Sequence, residues 1–333
     1  MEKKPNITFF CEMPADELKE LFTNNQVIRQ LLQLNANVSL GLLDFSSDRA
    51  SVVKKLTRAG IPVTAWLLLP KEQGYWTSLD TVSETVHCYR NIKVWTEKNG
   101  LNWAAVGLDI EPRLDRMKLF GKNWTYEIPD LIKRLFLTNK YQKQENDLRA
   151  LVNQIRADGY PVETYNFPFV IEERKADSNI LSKLLGTPDL EADREVLMLY
   201  SSFFTKNGDA ILWSYAHQAQ GIGLGSTGGG VELDGGEPLR EMRWIDLRRD
   251  LLIAQEFSQH IYIFSLEGSM RNNYLERLIN FDWSGPIELP KQSGQKITLL
   301  RKILQAFLWI FSHPVEIFLS LITLKRLLSR KEK

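Results

Sequence analysis

A chain of 333 residues, 44% hydrophobic and 25% charged, has room for one large or two ordinary globular domains with a full core. Its net charge of +1 gives no nucleic-acid signature, and its two cysteines, Cys11 and Cys88, make neither a disulfide framework nor a metal-ligand cluster. The average hides an asymmetry: residues 291–333 carry nine Lys/Arg against Glu316 and Glu332, which puts +7 on the tail and −6 on the remainder.

The N-terminus, Met-Glu-Lys-Lys-Pro-Asn, runs straight into Ile7-Thr-Phe-Phe without a signal-peptide pattern, so a cytoplasmic location is expected. Ile7–Met13 has the apolar run of a first strand and ends near Glu12. Apolar residues at three- and four-residue spacing predict helices over Ala15–Phe22 and Gln26–Leu34. Val38–Phe45 is a second strand with Asp44 near its tip. Ser47 is placed to cap a helix over Asp48–Ala59, stopped by Gly60. Ile61–Leu69 is a third strand. The loop after it brings two aromatics expected at the surface, Tyr75 and Trp76, before a long helix over Leu79–Lys98.

The fourth strand, within Trp103–Pro112, is the most informative stretch. Its apolar run suits a strand buried on both faces. Asp109 and Glu111 at i, i+2 share one face with Ala105 and Gly107, because successive strand side chains point to opposite sides. Pro112 removes a backbone donor and ends the strand. One acid capping a helix and the other in an ion pair is the purely structural alternative.

Beyond it come an aromatic-bearing insertion with Trp124, helical pattern over Asp130–Asp158, a fifth strand over Tyr160–Val170 and a helix over Asp177–Leu185. Glu195–Phe204 is the sixth strand. Ala210–Tyr215 is apolar enough for another, but a parallel crossover needs a dozen or more residues. Gly208–Ala219 is therefore the crossover helix and Gly221–Thr227 the seventh strand. Gly228, Gly229, Gly230, Gly235 and Gly236 predict a mobile loop. A helix from Pro238 to Phe257, an eighth strand over His260–Glu267 and a helix over Asn273–Asn280 complete the pattern. Eight alternations predict an α/β fold of the (β/α)8 TIM-barrel type over residues 1–285. A doubly wound sheet is second, lacking a glycine-rich turn after the first strand.

In a barrel the strand tips bring together Glu12, Asp44, Asp109, Glu111, Asn166, Tyr200, Ser226 and Glu267. The set is rich in carboxylates and has no histidine or lysine, which disfavours imidazole-ligated metal chemistry and Schiff-base chemistry. No metal and no cofactor is expected. Carboxylates with aromatics suit glycoside chemistry, in which one acid protonates the leaving oxygen and another group supports the oxocarbenium-like centre. Tyr75, Trp76 and Trp124 would offer flat faces to sugar rings, with Glu12, Asp44 and Asn166 as hydrogen-bonding groups.

Gly107-Leu-Asp-Ile-Glu resembles the end of the fourth-strand motif D-x-x-D-x-D-x-E of family 18 (chitinase-like) glycoside hydrolases. Met198-Leu-Tyr200-Ser201 resembles that family's sixth-strand M-x-Y-D. The resemblance implies Glu111 as general acid, Asp109 as the residue orienting a substrate N-acetyl group, and Tyr200 in support. The chain departs from the pattern at Ala104, Gly107 and Ser201, and Glu267 stands near where a strand-eight tryptophan is expected. A two-carboxylate mechanism with Glu267 as nucleophile or base is thus an alternative to N-acetyl assistance. A barrel that binds a glycan without turnover, or serves as a membrane-tethered scaffold, is a second class of reading.

A linker over residues 286–296 leads to an apolar, basic-flanked helical tail over 297–333. Ala306–Leu324 holds one acid, Glu316, and a mid-segment Pro314. Three placements follow: a helix pair in the interface at the inner face of a membrane, a true span, or helices packed on protein. The expected partners are a carbohydrate or glycolipid substrate and a membrane surface, with no nucleic acid.

Overall fold

The structure, a computed structural model, describes residues 4–117, 128–204, 206–230 and 241–314. Eight parallel strands close in sequence order: β1 Asn6–Cys11, β2 Asn37–Gly41, β3 Val63–Leu67, β4 Ala105–Ile110, β5 Val162–Asn166, β6 Arg194–Met198, β7 Gly221–Gly225 and β8 His260–Phe264. β8 pairs back onto β1, with Ile7 opposite Ile261 and Phe9 opposite Ile263. This closure corrects the open-sheet alternative and leaves no free edge.

Helices surround the strands. α1 (Ala15–Thr23), α2 (Asn25–Leu34), α3 (Ser47–Arg58) and α4 (Val82–Asn99) precede β4. α5 (Ile128–Phe136), α6 (Thr138–Ala157), α7 (Val170–Lys175) and α8 (Ile180–Leu185) lie between β4 and β6. α9 (Gly208–Ala216) is the crossover from β6 to β7, as the length argument requires, and α10 (Trp244–Gln255) follows β7. α11 (Leu266–Arg271), α12 (Tyr274–Ile279) and α13 (Lys291–Ser312) come after β8.

Several boundaries differ from expectation for local reasons. The strands end before their apolar runs do, because the segments beyond the tips, such as Leu68, Leu69 and Leu199, are also buried. Ser46 rather than Ser47 caps α3, accepting the Arg49 N–H at 3.2 Å. The helical pattern over Asp130–Asp158 divides at Leu137 into α5 and α6. α13 begins at Lys291, inside the stretch expected to be linker.

Alternation decides what fills the barrel. Ile7, Phe9, Val38, Leu40, Val106, Leu108, Ile222, Leu224, Ile261 and Ile263 face the helices and form the main core. The other faces supply Phe10, Trp66, Tyr165, Val196, Met198, Tyr200 and Tyr262 to a second, interior cluster. Those large side chains fit because other interior positions are small. A Cβ on Gly107 would lie 2.9 Å from the Tyr165 ring, and one on Gly223 would lie 3.2 Å from Tyr200 Cε1. The Gly221-Ile-Gly-Leu-Gly strand is therefore a packing device: its glycines leave interior volume to aromatics from neighbouring strands. At the N-terminal end the interior closes on a polar network. Glu163 accepts the Tyr262 hydroxyl at 2.7 Å and pairs with Arg194 at 2.9 Å. Cys11 and Cys88 are buried free thiols.

Candidate active site

β4 delivers its acids as the alternation requires. Asp109 occupies the interior face directly after Gly107, and Glu111 follows one residue past the strand end. Asp109 is only 4% exposed. Two further carboxyls approach from strands at the closure of the barrel. Glu12 follows β1 directly, and its backbone N–H donates to Glu267 Oε1 at 3.4 Å. Glu267 belongs to the first turn of α11 and not to β8, which ends at Phe264. Tyr75 donates its hydroxyl to Glu12 Oε1, forming a short bond.

Packing these groups together changes their chemistry. Burial raises the Glu12 carboxyl to about 8, with the Glu267 charge adding to the effect against the Tyr75 hydrogen bond. Burial also raises Glu267, to about 7, opposed by backbone N–H groups that favour its anion. Asp109 and Glu111 are both raised, again chiefly by burial. Repulsion from Glu111 adds to the rise of Asp109, and that from Glu12 to the rise of Glu111. Carboxyls in this contact cannot all ionise together, so the cluster retains protons at neutral pH. Among the described residues, Asp109 Oδ1 and Glu267 Oε2 are buried without a hydrogen-bond partner. The same atoms in a finished structural network would be paired.

The remaining expected site residues fall in three groups. Tyr200, at the end of β6, is buried beside the cluster, its hydroxyl pKa raised by burial and then by the Asp109 and Glu111 charges. Tyr75 and Trp76, expected at the surface, are instead 3% and 7% exposed and meet edge-to-face at 5.4 Å. Tyr75 is held at φ 71°, unusual for an aromatic residue, in the geometry that aims its hydroxyl at Glu12. Asp44 and Asn166 lie apart from the acids. Arg49 binds Asp44 at 2.7 Å and the Ser46 N–H donates to it; these bonds outweigh burial and lower its pKa. Asn166 faces the helix layer, donating to Thr164 Oγ1 and Glu195 Oε1. Trp124 lies outside the described residues.

Two features were not legible as site elements. Ser201, at the position of the second acid of the sixth-strand motif, is buried and donates to Asp250 on α10, away from the cluster. Gly228, Gly229 and Gly230, expected only as a mobile loop, run with φ of 109°, 88° and 87°, the last two against the acids of the cluster and Gly228 against Glu241. A Cβ on Gly229 would lie 2.5 Å from Glu267 Oε1, and one on Gly230 would lie 3.5 Å from Glu12 Oε2. Only glycine combines that backbone with that approach. Gly235 and Gly236 lie outside the described residues. Among the described residues no group of His, Cys, Asp and Glu could hold a metal ion. Surface clefts of about 940 and 990 Å³ lie between outer helices, the first lined by Tyr89, Lys93 and Asp158 and the second by Arg174, Asp177 and Lys183. Neither contains the four acids.

The chain is thus a closed (β/α)8 barrel with a carboxyl cluster at the C-terminal end of its strands, Asp109 and Glu267 buried and Glu12 and Glu111 half-buried. No protein-family model matches it, and no curated protein matches it. It is similar to the glycoside hydrolase domain of PgaB (BpsB) from Bordetella bronchiseptica, at 12% identity and a TM-score of 0.48, over 83% of this chain and 98% of that one. It is also similar to a mutant tryptophan synthase α-subunit from Pyrococcus furiosus, at 11% identity and a TM-score of 0.40, over 84% and 98% of the two chains. A ScGas2 chain crystallised with a compound gives 9% identity and a TM-score of 0.41, over 79% of this chain and 56% of that one. Likenesses this distant include barrels of unrelated chemistry, so function rests on the site.

Proposed function

We propose that this protein is a glycoside hydrolase-like barrel acting on a glycan or glycolipid, with Glu111 as general acid. The observation that carries the reading is the Asp109–Glu111 pair, delivered to the interior by β4 and raised in pKa by burial. A carboxyl that stays protonated near neutral pH can protonate a glycosidic oxygen as the bond breaks.

For the second carboxylate, Glu267 is favoured over N-acetyl assistance organised by Asp109. Burial raises both, Glu111 to about 8 and Glu267 to about 7; backbone N–H groups favour the Glu267 anion, while repulsion from Glu12 holds the Glu111 proton against a hydrogen bond from Asp109. The order is the one an acid and its partner carboxylate require. In addition, Ser201 turns to Asp250, so the sixth strand brings no further acid to the acetyl-orienting arrangement. Tyr200, Tyr75 and Glu12 complete the proposed site: Tyr75 fixes Glu12, and Tyr200 lies beside the reacting pair. The distant resemblance to family 18 rests on the two short motifs, and the proposal takes from it a glycosidase-like barrel and not membership.

The test is a screen of neutral, N-acetylated and amino oligosaccharides and of glycolipid headgroups, with products read by mass spectrometry. Wild type is expected to cleave at least one of them. Glu111→Gln keeps size and hydrogen bonding but cannot donate the proton, and is expected to lose about 10²–10⁴ in turnover. Glu267→Gln should lose a comparable factor and Asp109→Asn less; the reverse order reinstates N-acetyl assistance. Binding without turnover, unchanged in Glu111→Gln, replaces the enzyme reading with a glycan-binding one.

A further inference from the structure

The last described helix covers a mixed face, Ile297, Leu304 and Leu308 together with Gly294, Arg301 and Ser312, and leaves a largely apolar face outside. α13 lies on the barrel's outer layer against α7 and α9. Gly294 sits on the Trp213 ring, where a Cβ would come within 2.5 Å of Cζ3. Two turns further on, Arg301 is 8% exposed. It binds Glu172 at 2.8 Å, donates to the Ser214 carbonyl and to Gln218 Oε1, and lies 3.5 Å over the Tyr215 ring. Leu308 completes the buried side, and Ser312 bonds Ser178 at 2.8 Å. A guanidinium held at this many points fixes the helix against rotation.

The opposite side is held outward as a consequence. Leu299, Leu300, Ile303, Phe307, Ile310 and Phe311 are between 47% and 64% exposed. At ~100° per residue they fall within an arc of about 120°. Trp309, 42% exposed, stacks on His313 on the flank between that arc and the buried side. Exposed Lys296 falls within the arc, one turn before Leu299 and Leu300, and exposed Lys302 lies about 60° outside it. Beyond the described residues the sequence adds Lys325, Arg326, Arg330, Lys331 and Lys333 against Glu316 and Glu332.

We propose that this outward face of α13 is an interfacial docking surface for an anionic lipid bilayer, with the helix lying in the membrane plane. Apolar burial and lysine attraction act on the same face, which is the combination that membrane interfaces select. A second copy of this chain fits the face less well, because packing on it would bury the Lys296 charge, which a headgroup layer would pair. Among the described residues no helix is long and apolar enough to cross a membrane. The −6 carried by the remainder of the chain leaves the attraction to the tail.

The experiment is vesicle flotation of the full-length chain, using phosphatidylcholine alone and phosphatidylcholine with phosphatidylglycerol. The full chain is expected to float with the mixed vesicles and to be released progressively by salt. Ile303→Asp with Phe307→Asp should weaken that binding roughly tenfold or more, with melting unchanged because both side chains are exposed. Val94→Asp, at an exposed apolar residue on α4, should have no effect. Several outcomes overturn the proposal: no flotation with either vesicle, flotation unchanged in the double variant, a dimer that the double variant dissociates, or protection of α13 from hydrogen exchange on both sides in the absence of lipid. The third assigns the face to a second copy and the fourth to the chain's own last residues.

Discussion

Glu12, Asp109, Glu111 and Glu267 each hold a proton more tightly in the folded chain than an unfolded carboxyl does. Their contribution to folding is therefore most favourable below the ordinary carboxyl range. It is lost as pH rises through the raised values, about 8 for Glu12 and about 7 for Glu267. Glu12→Gln removes one such group. Calorimetry is expected to show its Tm gaining a few degrees on wild type between about pH 5 and pH 9. A difference that does not change with pH means that Glu12 is ionised throughout. At this scale the sequence was a good guide where face as well as position was considered. Asp109 and Glu111 were placed on one face by their i, i+2 spacing, and that face is the interior. Asp44 and Asn166 were chosen by nearness to a tip alone. Asn166 alternates with Tyr165, an interior residue, so the same spacing argument turns it outward. Tyr75 was legible as an aromatic near the site but not as a buried one, because its aim depends on a positive φ that local sequence does not announce.

At the scale of elements, the strand order and the α9 crossover followed from periodicity and the minimum length of a parallel connection. The role of the glycines did not follow, since it depends on which residue of another strand lies opposite. Gly107 on β4 faces Tyr165 on β5, whose hydroxyl meets Ser39 on β2 at 2.8 Å. Gly107→Ala would press a methyl group on that ring. Overpacking of this kind typically costs about 1–3 kcal/mol, and chemical denaturation should report a loss in that range with no change in m-value. An unaffected midpoint would mean that the interior aromatics have slack. The displacement falls two residues from Asp109, so a drop in turnover should accompany the loss of stability.

For the whole molecule, the sequence divided the chain into a barrel, a linker and an apolar tail, and composition allowed either membrane or protein as the tail's support. The contact that orients the described part of the tail is a single buried arginine, which a count of basic residues groups with the solvated ones. Arg301 and Glu172 are separated by 129 positions, and neither carries a local signal of the pairing. Breaking a buried pair on one side strands the other charge, a loss of about 3–5 kcal/mol, whereas replacing both by apolar residues is often neutral. Arg301→Ala is thus expected to lower the melting temperature, and Arg301→Met with Glu172→Met to recover most of the difference. Equal melting of the single variant and wild type would show that α13 contributes nothing to the barrel.

If the carboxyls of this barrel hydrolyse a glycosidic bond with Glu111 giving the proton, the hydrolysis must be visible in its products. Its most direct measurement is mass spectrometry of oligosaccharides incubated in heavy-oxygen water with wild type and with Glu111→Gln. The account predicts shortened products bearing the heavy oxygen at the new reducing end in the wild type, and a loss of about 10²–10⁴ in their rate of formation in the variant. A glycan that binds both proteins equally and is cleaved by neither, or one cleaved equally by both, would contradict it.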